Sequence, residues 1–157
     1  MGVINKIISG GQTGADRAAL DVAINHGIPC GGWCPKGRKA EDGKIPDRYP
    51  LCETDTDSYR ERTQKNILDS DGTLILCPEE KMDAGTQITY QLCKEIKKPI
   101  CIADPADETQ IPQVIKWLIK DNIQVVNIAG PRESNLKGIY EGSVSFLDKL
   151  LNVEVRQ

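Results

Sequence analysis

The sequence predicts a Rossmann-like α/β protein, a doubly wound parallel sheet of about five strands with helices on both faces. Three observations predict it. Short apolar, β-branched runs alternate with segments of helical period, the pattern of βαβ units. The unusual loops, Gly10–Gly14, Trp33–Arg38, Pro78–Thr86 and Gly130–Ser134, all fall on the strand-to-helix side, where such sheets bind ligands. The length of 157 residues fits one domain, 1–157, large enough to bury its own core.

Taken in order, Val3–Ile8 reads as the first strand, and Ala15, Ala18, Ala19, Val22 and Ala23 then recur at helical spacing up to Gly27. Ile28–Trp33 reads as a second strand, weakened by Pro29 and the Gly31-Gly32 pair. A long polar segment, Cys34–Thr56, carries three prolines and exceeds the usual connection in a compact domain. Ser58–Leu68 reads as a helix, Thr73–Cys77 as a strand, and Gly85–Lys97 as a helix closed by Pro99. Ile100–Ala103 is a strand, Ile111–Lys120 an amphipathic helix, and Ile123–Ala129 the last strand. A final helix is expected from Glu133 to Leu151.

Composition narrows the function classes. A 39% hydrophobic and 27% charged chain is that of a globular protein, with neither disorder nor a membrane span indicated. No signal peptide is visible, so a cytoplasmic location is expected. Aromatics at 4% and a net charge of −3 argue against nucleic acid, which needs stacking rings or a basic surface. The six cysteines lie largely in apolar runs and read as reduced, mostly buried thiols. With His26 the sole histidine, a structural zinc site lacks ligands.

The chemistry lies in the loops. In Ser9-Gly10-Gly11-Gln12-Thr13-Gly14-Ala15-Asp16 the glycines let backbone amides approach an anion at a helix start. A tight turn with Thr13 as helix cap and Asp16 as its capping-box acid is the competing reading. The loop lacks G-x-G-x-x-G, and no acid ends the second strand, which disfavours an NAD enzyme. Gly32–Lys39 resembles a P-loop only superficially, its lysine and hydroxyl residue being out of place, which disfavours an ATPase. Lys36, Arg38, Lys39, Lys44 and Arg48 form a basic excess that either draws an anion or pairs with Glu41, Asp42 and Asp47. Arg132 in Gly130-Pro131-Arg132-Glu133-Ser134 either reaches an anion or lies on the surface.

Gly10–Asp21, Gly31–Arg38, Glu61-Arg62-Thr63, Asn66, Ser70–Thr73 and Ala129–Arg132 together resemble the molybdenum cofactor carrier family. This family is similar to the Rossmann-like superfamily of cytokinin-activating phosphoribohydrolases, once called lysine-decarboxylase-like. The resemblance covers almost the whole chain. It implies binding of molybdenum cofactor (molybdopterin) or molybdate and a homo-oligomer, dimer or tetramer, with the last helix one candidate interface. Molybdoenzymes or cofactor-synthesis proteins are the implied partners. A pterin with a terminal phosphate needs an amide-lined anion site and no catalytic group.

The enzymatic relatives imply the rival function, a nucleotide-binding sensor or a nucleoside-monophosphate phosphoribohydrolase. They use an arginine, matched here by Arg62, and a glutamate after a glycine-rich turn. That turn is only partly kept as Asp83-Ala84-Gly85-Thr86, and Thr89 stands in the glutamate's place, so the carboxylate expected to drive cleavage is missing. The candidate ligand-binding set is Gly10, Gly11, Gln12, Thr13, Gly14, Asp16, Lys36, Arg38, Arg62, Gly85, Thr86, Thr89, Gly130, Arg132 and Ser134, without a catalytic residue or a protein-held metal.

Overall fold

Five short, largely solvent-free strands form the centre of the computed structural model, which describes residues 3–156. Residues 1, 2 and 157 of the expected domain lie outside the described residues. The sheet strands are β1 (Lys6–Ile8), β2 (Cys30–Gly31), β7 (Gly72–Leu76), β8 (Ile100–Ala103) and β9 (Val125–Ala129), in the order β2-β1-β9-β7-β8, every pair parallel. Numbered along the chain from first to fifth, they lie 2-1-5-3-4. That is the doubly wound order 3-2-1-4-5 with its first strand supplied last, so β9 holds the place of the first strand. The switch point of the sheet falls between β9 and β7.

Helices cover both faces. On one, α1 (Ala15–Asn25), α4 (Ile111–Lys120) and α5 (Ile139–Arg156) pack Ala19, Val22, Val114, Leu118, Phe146 and Leu150 against Ile7, Leu74, Leu76, Val126 and Ile128. On the other, α2 (Tyr59–Leu68) and α3 (Ala84–Ile96) meet through Ile67, Leu92 and Cys93. Full burial of each such aliphatic side chain contributes about 1.5–3 kcal/mol, which is why the apolar stripes fix the helix faces.

Element ends depart from the sequence reading for local reasons. The first strand begins at Lys6, not Val3, because its ladder starts where Lys6 meets Val125. The last strand begins at Val125, not Ile123, because the Ile123 amide is held by the Leu118 carbonyl at the end of α4. The expected second strand splits. Gly32, at φ 133° with a Cβ position 2.4 Å from the Ser9 carbonyl oxygen, turns the chain out of the sheet. Trp33–Cys34 (β3) then pairs instead with Cys52–Glu53 (β6).

The long polar segment is ordered. It holds a two-residue hairpin, β4 (Lys39–Ala40) and β5 (Gly43–Lys44), over a small core of Leu20, Cys34, Ala40, Ile45, Tyr49 and Leu51. The final helix begins at Ile139 rather than Glu133. The Glu133 carboxylate accepts from the amides of Gly138 (2.7 Å) and Tyr140 (2.9 Å), so its side chain caps α5 from outside it. The six thiols are free, Cys52 exposed and the others buried or half-buried. Among the described residues no helix is long and apolar enough to cross a membrane.

Candidate functional site

At the switch point, beyond the carboxyl ends of β9 and β7, the sheet opens into a cleft of about 250 Å³. Its walls come from four places in the chain: Gly10, Gln12 and Asp16 after β1; Tyr59, Arg60, Arg62, Thr63 and Asn66 on α2; Asp83, Gly85, Thr86, Ile88 and Thr89 at the start of α3; and Asn127–Gly130 with Arg132 from β9 and its loop. Parallel connections bring these segments together because every strand points its carboxyl end the same way.

Arg62 and Asp16 form the charged wall. The guanidinium donates to the Asp16 carboxylate at 3.2 Å, and both side chains are nearly buried. Gly10 makes room for that pair: a Cβ there would stand 2.0 Å from the Arg62 Nη1. Burial pushes the Asp16 carboxyl up from 3.8 to about 6, and the Arg62 charge and the Gln12 amide only partly offset this. The cleft therefore contains a carboxyl whose pKa burial raises well above the usual carboxylate range.

Asp83 is the opposite case. Its burial pushes the pKa up, but hydrogen bonds from Asn135, Thr86 and the Arg132 amide outweigh this and hold the carboxyl below its usual range. Asp83 caps α3 through the Thr86 amide at 2.9 Å. Thr89 turns its hydroxyl back to the Gly85 carbonyl at 3.1 Å. At the mouth three cations surround the Tyr59 ring: Lys39 at 4.8 Å, Arg62 at 5.3 Å and Arg132 at 5.4 Å from its centroid.

Gln12 supplies the open valence. Its Oε1 accepts from the amides of Thr13 (3.1 Å) and Glu41 (2.8 Å), which fixes the orientation of the side chain. Gln12 lines the cleft, and its Nε2 is buried with no partner among the described residues. A buried donor left unmet costs about 1–3 kcal/mol, so a ligand acceptor is the natural partner.

Of the fifteen predicted residues the cleft gathers Gly10, Gln12, Asp16, Arg62, Gly85, Thr86, Thr89, Gly130 and Arg132. The other six sit elsewhere. Gly11 packs on Leu51 and Ile45, and Gly14 faces the Pro131 carbonyl. Thr13 is not the cap of α1: Gly14, at φ 83°, takes that position, and the Thr13 hydroxyl donates to Glu41 instead. Asp16 likewise leaves the capping-box role and accepts from the Gln12 amide. Arg38 spends its guanidinium on the carbonyls of Ile45, Pro46, Tyr49 and Leu51, organising the long loop. Lys36 is exposed in that loop, and Ser134 pairs with Glu41.

Sequence reasoning missed Tyr59 and Asn127 as wall residues. The polar Asn127 in an otherwise apolar strand was the available signal for one of them. Among the described residues no group of three or more histidine, cysteine or acidic side chains could hold a metal ion.

Residues 7–151 match the family described as circularly permutated YpsA, of the SLOG group. The strand order agrees, since the first strand of the wound sheet is the last in this chain. Among solved structures, a crystal structure from Syntrophus aciditrophicus SB, described as a proposed molybdenum carrier protein, is 46% identical. The match covers 96% of each chain with a TM-score of 0.92. No curated protein matches this chain.

Proposed function

The chain belongs to the circularly permutated YpsA SLOG family, and from that premise we propose that it binds and carries molybdenum cofactor or a related molybdenum oxyanion without transforming it. One observation carries the reading: Gln12, whose Nε2 donor is buried and unmet among the described residues, lines a cleft together with Arg62 and Arg132. Those groups fit a ligand of oxygen acceptors and negative charge. The solved neighbour described as a proposed molybdenum carrier supports the same class of cargo.

The size of the cleft bears on which part of such a ligand it holds. At about 250 Å³ it falls just below the roughly 300–1,000 Å³ of sites for drug-sized ligands. It suits an oxyanion or one end of a pterin phosphate, with the remainder held at the mouth beside Tyr59.

A second reading, nucleoside-monophosphate hydrolysis, is favoured by one observation, the raised pKa of the Asp16 carboxyl beside Arg62. Against it, the carboxylate of Asp83 is committed to capping α3, and Thr89 stands where the hydrolases carry glutamate. Native mass spectrometry of protein purified from cells that make the cofactor tests the proposal. The expected result is a co-purified molybdenum-containing mass that Arg62→Ala loses. Release of free base from nucleoside monophosphates, abolished by Asp16→Asn, overturns it.

A further inference from the structure

The loop after β9 stands where a doubly wound sheet places its phosphate-binding turn, because β9 holds the position of the first strand. That turn is filled by the protein itself. The hairpin β4–β5 swings Glu41 across the glycine loop, and its carboxylate collects the donors of both loops. Ser134 gives its amide at 3.2 Å and its hydroxyl at 2.5 Å, Thr13 gives its hydroxyl, and the Arg132 Nη1 lies 3.8 Å away. The Thr13 hydroxyl accepts from the Glu133 amide at 3.2 Å, which leaves its proton for Glu41.

An amide, two hydroxyls and a guanidinium converging on one point form the donor set that tetrahedral oxyanions recruit. We propose that Thr13, Arg132 and Ser134 form an oxyanion site that Glu41 occupies as an internal stand-in, and that a phosphate group displaces it. The hairpin pairs two residues on each strand. Ala40 tucks into the small core and the Glu41 amide donates to Gln12, while the hairpin's ion pairs, Arg17–Asp42 and Lys39–Asp57, each have an exposed carboxylate.

Gln12 couples this site to the cleft. Its Oε1 holds the Glu41 backbone amide, while its Nε2, buried without a partner among the described residues, belongs to a residue that lines the cleft. A ligand that engages Nε2 acts on the side chain that positions Glu41. Partial burial pushes the Glu41 carboxyl up, but hydrogen bonds from Ser134 and Thr13 outweigh this and keep it ionised, in keeping with an anion in a site made for anions.

The inference rests on the reading above in one respect, that the ligand is anionic, and the two tests separate. Arg62→Ala probes the cleft, whereas Glu41→Gln removes the competing charge and keeps a side chain that can bond Ser134. Titration calorimetry with inorganic phosphate should show Glu41→Gln binding at least about tenfold tighter than the wild-type chain, since like charges no longer compete. Adding Ser134→Ala should abolish the gain. Molybdate in a parallel titration tells a free metal oxyanion from a phosphate group as the better occupant. Unchanged or weaker phosphate affinity in Glu41→Gln overturns the proposal. Hydrogen exchange on the wild-type chain gives an independent check: phosphate should raise exchange over residues 39–44, and unaltered protection at saturation also overturns it.

Discussion

Asp16→Asn is expected to remove a pH dependence that the wild-type fold carries at this one position. Asp16 is 6% exposed, and burial is the largest influence on it, raising the carboxyl from 3.8 to about 6 despite Arg62 at 3.2 Å. At about 1.4 kcal/mol per pK unit, the ionised carboxyl lowers folding stability by about 3 kcal/mol relative to the protonated one. The direction follows from linkage. The folded chain binds this proton more tightly than the unfolded chain, so stability is greatest below 3.8 and falls as pH rises through about 6. Urea denaturation of both proteins between about pH 3 and pH 7 should give a difference curve, variant minus wild type, that rises by about 3 kcal/mol. That is a large part of the roughly 5–15 kcal/mol available to a domain. A flat or falling difference curve would refute the reasoning, because it would mean the Arg62 ion pair outweighs burial and Asp16 is an ordinary ionised partner.

Two further outcomes follow from contacts in and around the cleft. Gly10→Val puts side-chain atoms where the Arg62 guanidinium lies, so it should weaken molybdate binding as strongly as Arg62→Ala while Arg62 itself remains; undiminished affinity by calorimetry would remove that arginine from the site. Of the six thiols, Cys52 is the exposed one, and burial raises the others, Cys77 to about 12 and Cys101 to about 11. One thiol should therefore react quickly with a disulfide reagent in the native protein and all six in denaturant.

The doubly wound sheet was legible in the sequence because its signals are local. Thr73–Cys77 reads as a strand by its apolar, β-branched run, and the strand forms over Gly72–Leu76; Val114, Ile115 and Leu118 place α4 by period alone. What escaped depends on contacts that no periodicity encodes, some near in the chain and some far. Glu133 looks like the first turn of a helix until its carboxylate is seen to accept from Gly138 and Tyr140. Two-residue strands such as β3 and β6 have too few residues to show a period. Arg38 belongs to a basic excess suited either to an anion or to loop acids, yet four carbonyls of its own loop absorb its donors. The Asp16–Arg62 pair spans 46 positions and the Ser134–Glu41 pair spans 93, separations at which no spacing rule operates.

The glycines show how this changes the meaning of the loop. Their surplus over a simple helix cap suggested an amide cradle, and in the fold much of it serves contact between segments. A Cβ at Gly14 would stand 2.3 Å from the Pro131 carbonyl oxygen, and one at Gly130 would stand 2.5 Å from the Leu76 carbonyl oxygen and 2.7 Å from the Ala15 Cβ. The turns after β1 and β9 are thereby locked together, joined further by the Ala15 amide to Pro131. The cleft thus has one rigid side, built on these interlocked turns and the buried Asp16–Arg62 pair, and next to it Glu41, on a hairpin of two residue pairs, sits across the turn after β9. A rigid wall bearing an unmet donor keeps the ordering cost of binding low, while a displaceable carboxylate confines entry to ligands with enough negative charge to replace it. On the carrier reading proposed above, that division gives selectivity among anions by charge.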